Sequence, residues 1–174
     1  MPAVRLVPVG EEHLADVARL ITDPEVLRFS RTPEPVPPGY ERTWLDRVLR
    51  GRAEGRMEVF IAFDAETGDV VGMGLAPLVD RDAAEAELGY SVVPAARGRG
   101  VATAILRELT RWAFEEAGIL RATLIIDLEN PASERVAERA GYRREGIMRS
   151  LHQRDSRRID ASLWSRLPDD PDPA

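Results

Sequence analysis

Apolar and polar positions alternate from Val4 to Val9 with the two-residue period of a half-buried strand. The period then lengthens, and Leu14, Val17, Ala18 and Ile21 share one face of a helix that Pro24 stops. From Thr32 to Gly39 the prolines at 33, 35, 37 and 38 exclude a regular element; a second helix follows, with Tyr40, Trp44, Leu45, Val48 and Leu49 on its apolar side. Met57 to Phe63, Val70 to Leu78 and Ala84 to Val93 read as three successive strands, with hairpin signals at Glu66-Thr67-Gly68 and Asp80-Arg81-Asp82. A long amphipathic helix opens after Gly100: Val101, Ile105, Leu109, Trp112 and Ala113 form its stripe, with Arg107, Glu108, Arg111 and Glu115 opposite. Arg121 to Asp127 reads as a buried strand. Asn130 is placed to cap a short helix, with Pro131 at its first position and Gly141 as a left-handed terminator. Tyr142 to Arg149 and Arg158 to Leu167 complete an antiparallel tail, and disorder is expected from Pro168. The order βααβββαβαββ is that of one mixed α/β domain over residues 1–167, with 168–174 as a tail.

The loop before the long helix, Arg97-Gly98-Arg99-Gly100-Val101-Ala102, is the strongest chemical signal. Two glycines one residue apart at a helix start let backbone N–H groups approach an anion, the helix dipole adds about half a positive charge, and two arginines add more. Such a turn suits a pyrophosphate. A P-loop is excluded because the chain has no lysine, and a dinucleotide fingerprint would need a third small residue where Thr103 stands.

Composition narrows the chemistry. The 174 residues include no cysteine, which removes disulfides, thiolate catalysis and cysteine-ligated metal, so any thiol must arrive with a substrate. The two histidines, His13 and His152, have no ligand spacing, and no metal site is expected. A net charge of −6 argues against nucleic-acid binding and favours a cationic amine at long range. No apolar run approaches membrane-spanning length and no signal segment is visible, giving the expectation of a cytoplasmic protein without a membrane partner.

The span from Glu87 to Arg149 resembles the GNAT superfamily of acyl-CoA-dependent N-acyltransferases. Their pyrophosphate loop, Arg/Gln-x-x-Gly-x-Gly/Ala, reads here Arg97-x-x-Gly100-x-Ala102. Asn130-Pro131-Ala132-Ser133, Val136, Gly141-Tyr142 and Glu145-Gly146 resemble the branch that includes ribosomal-protein N-terminal (alanine) acetyltransferases, and Arg5-Leu6-Val7-Pro8, Asp23-Pro24-Glu25-Val26 and Glu66-Thr67-Gly68 extend the likeness to the N-terminal half. The resemblance implies a mostly antiparallel central sheet, splayed at strands 4 and 5 and flanked by helices, with acetyl-CoA as cosubstrate and direct attack by an amine in a ternary complex. It further implies that Arg97, Gly98, Arg99, Gly100, Val101 and Ala102 hold the pyrophosphate. The backbone of Val92 and Val93 would pair with pantetheine and polarise the thioester, and Asn130 would bond the pantetheine arm besides capping its helix. Many relatives carry a tyrosine general acid seven residues beyond the asparagine; Ala137 stands there in this chain, and Ser133 becomes the candidate donor to the leaving thiol.

Strand parity puts Glu85, Glu87, Gly89 and Ser91 on one face and Ala86, Leu88, Tyr90 and Val92 on the other. Glu87 is the candidate base, acting directly or through water, and Glu85 reads as a solvated charge. Phe29, the proline-rich loop, Tyr40 and Trp44 are candidate acceptor contacts, although the Tyr40-x-x-x-Trp44 spacing also fits helix core. The leading acceptor is a protein or peptide N-terminal α-amine. Alternatives are a small-molecule amine (aminoglycoside, amino acid or polyamine) and a non-catalytic acyl-CoA-binding module. Either a monomer or a homodimer fits the sequence.

Overall fold

The computed structural model describes residues 2–154 and 156–173. Seven strands, β1 (Val4–Pro8), β2 (Glu58–Asp64), β3 (Val70–Asp80), β4 (Glu85–Val92), β5 (Arg121–Asp127), β6 (Arg143–Arg154) and β7 (Arg157–Arg166), form one sheet in the order β1-β2-β3-β4-β5-β7-β6. Every neighbouring pair is antiparallel except β4 and β5. The helices are α1 (Leu14–Ile21), α2 (Pro24–Phe29), α3 (Tyr40–Ala53), α4 (Val101–Glu115) and α5 (Pro131–Arg139). Among the described residues no helix is long and apolar enough to cross a membrane.

The element order expected from the sequence gains one helix, α2. Pro24 does more than stop α1: its fixed φ suits the first position of a new helix. Asp23 caps that helix, its Oδ1 accepting the N–H groups of Glu25 and Val26, both at 3.1 Å.

Helices cover both faces of the sheet. On one face Leu106, Leu109 and Ala113 of α4 pack on Ala86, Leu88, Leu124 and Ile126; on the other, Val17, Leu20, Leu45 and Val48 of α1 and α3 pack on Val59, Ile61 and Met73. Fully burying each Leu or Ile side chain contributes about 1.5–3 kcal/mol, so the two layers hold the sheet between them.

The sheet splits at β4 and β5. They pair only at Glu85↔Arg121, Ala86↔Ala122 and Glu87↔Thr123. Beyond Glu87, β4 stays with β3 as far as Val92 and β5 stays with β7 as far as Asp127, so a wedge opens between them with Glu87 at its vertex.

The tail expected to be disordered from Pro168 instead starts as a turn. Leu167 N–H donates to Asp170 Oδ2 at 2.9 Å, Asp170 N–H returns a bond to the Leu167 carbonyl at 3.1 Å, and Asp170 and Asp172 pair with Arg143 and Arg166. Carboxylates facing two strand arginines give these residues partners that their composition did not suggest.

Candidate active site

At the wide end of the wedge, Val93 runs through a 3₁₀ turn at Pro94–Ala96 into the loop that starts α4. Gly98 and Gly100 take φ of +73° and +81°, a left-handed conformation that costs other residues about 1–2 kcal/mol. No side chain caps α4, and a Cβ added at Gly98 would meet no atom within 4 Å. The first N–H groups of Val101, Ala102 and Thr103 have no acceptor within the helix, a dipole end suited to an anion, and Pro2 lies 3.5 Å from where a Cβ on Gly100 would stand.

Arg97 and Arg99 do not act alike. Arg99 is exposed. Arg97 is half-buried: its Nε donates to the Val92 carbonyl at 3.1 Å, and its other nitrogens pair with Asp23 at 2.5 Å and Glu25 at 2.8 Å. Burial opposes ionisation of Asp23, but the bonds from Arg97 and from the α2 amides outweigh it and hold the carboxyl below its usual range. Arg97 thus ties α2 to the glycine loop, and Arg99 is the more exposed charge.

Val92 and Val93 divide the role expected of them. Val93 N–H bonds the Val71 carbonyl at 3.0 Å, inside the sheet. Antiparallel alternation turns Leu88, Tyr90 and Val92 toward the wedge, so Val92 N–H and the Tyr90 backbone are the groups free of β3. The Val92 side chain is core, packed with Val71, Ala96, Val101 and Ile105.

Asn130 caps α5 through its side chain, which accepts Ser133 N–H at 3.1 Å. The Ser133 hydroxyl receives a 3.0 Å bond from Tyr90 Oη. Burial pushes the Tyr90 phenol up to about 12, with the bond to Ser133 pulling the other way, so it stays protonated and donates near neutral pH. Sequence reasoning missed Tyr90, although its parity with Leu88 turns it toward α4 and α5. Tyr142 is core: it is buried and shares a 2.7 Å hydrogen bond with Thr110.

Glu87 is half-buried at the vertex, on the face opposite Tyr90. Glu85 is not a free solvated charge, because Arg121 bridges it to Glu145. Bonds from Arg121 and Ser165 hold Glu145 down at about 2.

The expected acceptor contacts separate. Trp44, 7% exposed, belongs to the core under α3, and Tyr40 packs against the same cluster. Phe29 alone lies near the far wall of the wedge, with the Arg154 guanidinium 5.4 Å from its ring. Among the described residues no group of three or more His, Cys, Asp or Glu is placed to hold a metal ion.

Residues 3–143 match the family model of the acetyltransferase (GNAT) domain. An uncharacterised N-acetyltransferase, p20, of Bacillus licheniformis is 23% identical over 146 residues, 84% of this chain and 82% of that protein. A putative ribosomal N-acetyltransferase, YdaF, of Bacillus subtilis is 31% identical over 116 residues, 67% of this chain and 58% of that protein. Among solved structures, the ribosomal L7/L12 α-N-protein acetyltransferase RimL in complex with coenzyme A superposes with a TM-score of 0.86 at 19% identity, covering 97% of this chain and 96% of its own. The spermidine N-acetyltransferase of Vibrio cholerae, in complex with CoA and spermine, superposes with a TM-score of 0.84 at 17% identity and 96% coverage of both chains.

Proposed function

The chain belongs to the GNAT acetyltransferase family and is an acyl-CoA-dependent N-acyltransferase, and on that premise we propose that it moves the acetyl group of acetyl-CoA to the N-terminal α-amine of a protein or peptide. The observation that carries this reading is the wedge itself, with an anion-binding helix end at its mouth, a carboxylate at its vertex and the Tyr90–Ser133 pair between α5 and β4.

The pyrophosphate rests on the α4 N-terminus and the Gly98–Gly100 turn, with Arg99 as counter-charge. Val92 N–H and its neighbours toward the wedge pair with the pantetheine arm and polarise the thioester carbonyl, an effect worth a few kcal/mol when a preorganised donor meets the oxyanion. The amine attacks directly, since no cysteine is present to carry the acyl group. Glu87 takes a proton from the attacking nitrogen, directly or through water. Ser133, whose oxygen is held by Tyr90, donates a hydrogen bond to the departing thiolate, which leaves as CoA-SH with the proton collected at Glu87.

Two arguments favour an α-amine. Its reference pKa, about 7.7–8.0 against about 10.4 for a lysine side chain, leaves roughly a tenth or more of it unprotonated near neutral pH and demands only a modest base. On the far wall of the wedge, among the described residues, the carboxylates Asp127 and Glu129 are already paired with Arg154 and Arg157, which disfavours a polycation there.

CoA release, measured with short peptides beginning with Ala, Ser or Thr beside aminoglycosides, free amino acids and polyamines, tests the reading. Turnover confined to small molecules favours the alternative acceptors, and CoA binding without turnover favours a non-catalytic module.

A further inference from the structure

The β5 wall of the wedge carries a second polar constellation that the account above leaves unused. Asp127, 7% exposed at the end of β5, accepts from two side chains of β6: His152 Nδ1 at 2.5 Å and Arg154 at 2.6 Å. β7 lies between these strands, so the side chains meet across it, with Asp127 opposite Ala161 and His152 opposite Ile159. The register of β6 slips between Met148 and His152, with Ser150 at φ +54° and its N–H held by Asp160 at 2.7 Å. Bulges of this kind re-aim side chains.

The hydrogen bond fixes the tautomer. With Nδ1–H donating to a carboxylate, Nε2 of the neutral ring bears the lone pair. That Nε2 is buried and has no partner among the described residues, although the whole side chain is 26% exposed. A buried acceptor without a donor calls for a ligand that brings one. By register, Glu87, Thr123 and Asp127 share one sheet face, with Asp127 four residues, roughly 13 Å, along β5 from the vertex. Among the described residues, the charged groups linked to the pair are Arg154 on β6, Glu129 after β5 and Arg157 on β7, and Arg154 also lies over the Phe29 ring, as Arg28 on α2 does.

We propose that His152, oriented by Asp127, is a second proton acceptor of this cleft and takes the first proton from the incoming ammonium. The assignment rests on the α-amine reading. An α-ammonium loses two protons in becoming an amide. The first must leave before attack to free the lone pair; Nε2 receives it and returns it to water. The second leaves nitrogen as the C–N bond forms and the C–S bond breaks, is collected at Glu87, and balances the thiolate released as CoA-SH.

The test is kcat/KM against pH for the full chain, with a Ser-initiated peptide, in wild type, His152→Gln and Asp127→Asn. His152→Gln should be at least about tenfold slower below neutrality, with the deficit closing toward about pH 9, where the amine is already free. Asp127→Asn keeps an acceptor for Nδ1–H but removes the charge, and should lower kcat/KM below neutrality in the same direction, by less than His152→Gln does. The CoA-induced rise in Tm should be equal in all three. A His152→Gln profile parallel to wild type, whether unchanged or uniformly lowered, overturns the proposal and leaves the α-amine reading standing. A wild type that binds CoA but turns over no peptide overturns both.

Discussion

Tyr90 Oη donates to Ser133 Oγ across 3.0 Å, joining the wedge wall of β4 to the first turn of α5. Because the phenol occupies one lone pair of the serine oxygen, the serine proton is left to point elsewhere, toward the thiol in the proposed mechanism. Ser133→Ala should lower kcat about tenfold or more, at the lower end for a positioned acid, while Tm and the CoA-induced shift stay nearly constant. Tyr90→Phe should lower kcat in the same direction and cost about 1 kcal/mol of stability, the usual net worth of one hydrogen bond. Steady-state kinetics beside thermal melts check both.

Gly100 at φ +81° tests the anion site. Gly100→Ala should lose about 1–2 kcal/mol to left-handed strain and keep some CoA-dependent rise in Tm. Gly100→Glu adds a negative charge at the helix end and should lose that rise altogether. Equal shifts in the two variants would move the pyrophosphate away from this turn.

Acid stability should report on Glu145. Its folded-state pKa, about 2, lies below the ordinary carboxylate value, so the folded protein binds fewer protons and the contribution is present above about pH 4.5. It fades as pH falls toward 2. Glu145→Gln should therefore flatten the loss of stability across that interval, and denaturant melts at several acidic pH values measure it.

Trp44 distinguishes core from acceptor wall. Trp44→Ala should cost about 3–5 kcal/mol, and Trp44→Phe less, with KM for the peptide unchanged in the Phe variant. Phe29→Ala should instead raise KM, because Phe29 lies by Arg154 on the far wall.

The glycine turn before α4, the cap at Asn130 and the strand face that carries Glu87 were legible because each depends on residues close in sequence; the vertex position of Glu87 was not, because it is set by its pairing with Thr123 on β5. The helix α2 was not read because Pro24 is as good a first residue as a stop, and the cap that decides between them, Asp23, looks like any loop aspartate. Tyr90 lies on the strand face opposite Glu87, and its bond to Ser133 depends on α5 meeting β4 from 43 residues away. The Asp127–His152 pair was beyond sequence reasoning for a stronger reason: it joins residues 25 apart in sequence, and its existence depends on β7 entering between β5 and β6.

The central claim is acyl transfer to an α-amine with Glu87 as a proton acceptor. It is tested most directly by CoA release from acetyl-CoA with wild type and Glu87→Gln, offered Ala-, Ser- and Thr-initiated peptides beside spermidine and an aminoglycoside. The account predicts peptide turnover by wild type, a rate at least about tenfold lower in Glu87→Gln below pH 8, and equal CoA affinity in the two. Turnover confined to the small amines, or a fully active Glu87→Gln enzyme, would contradict it.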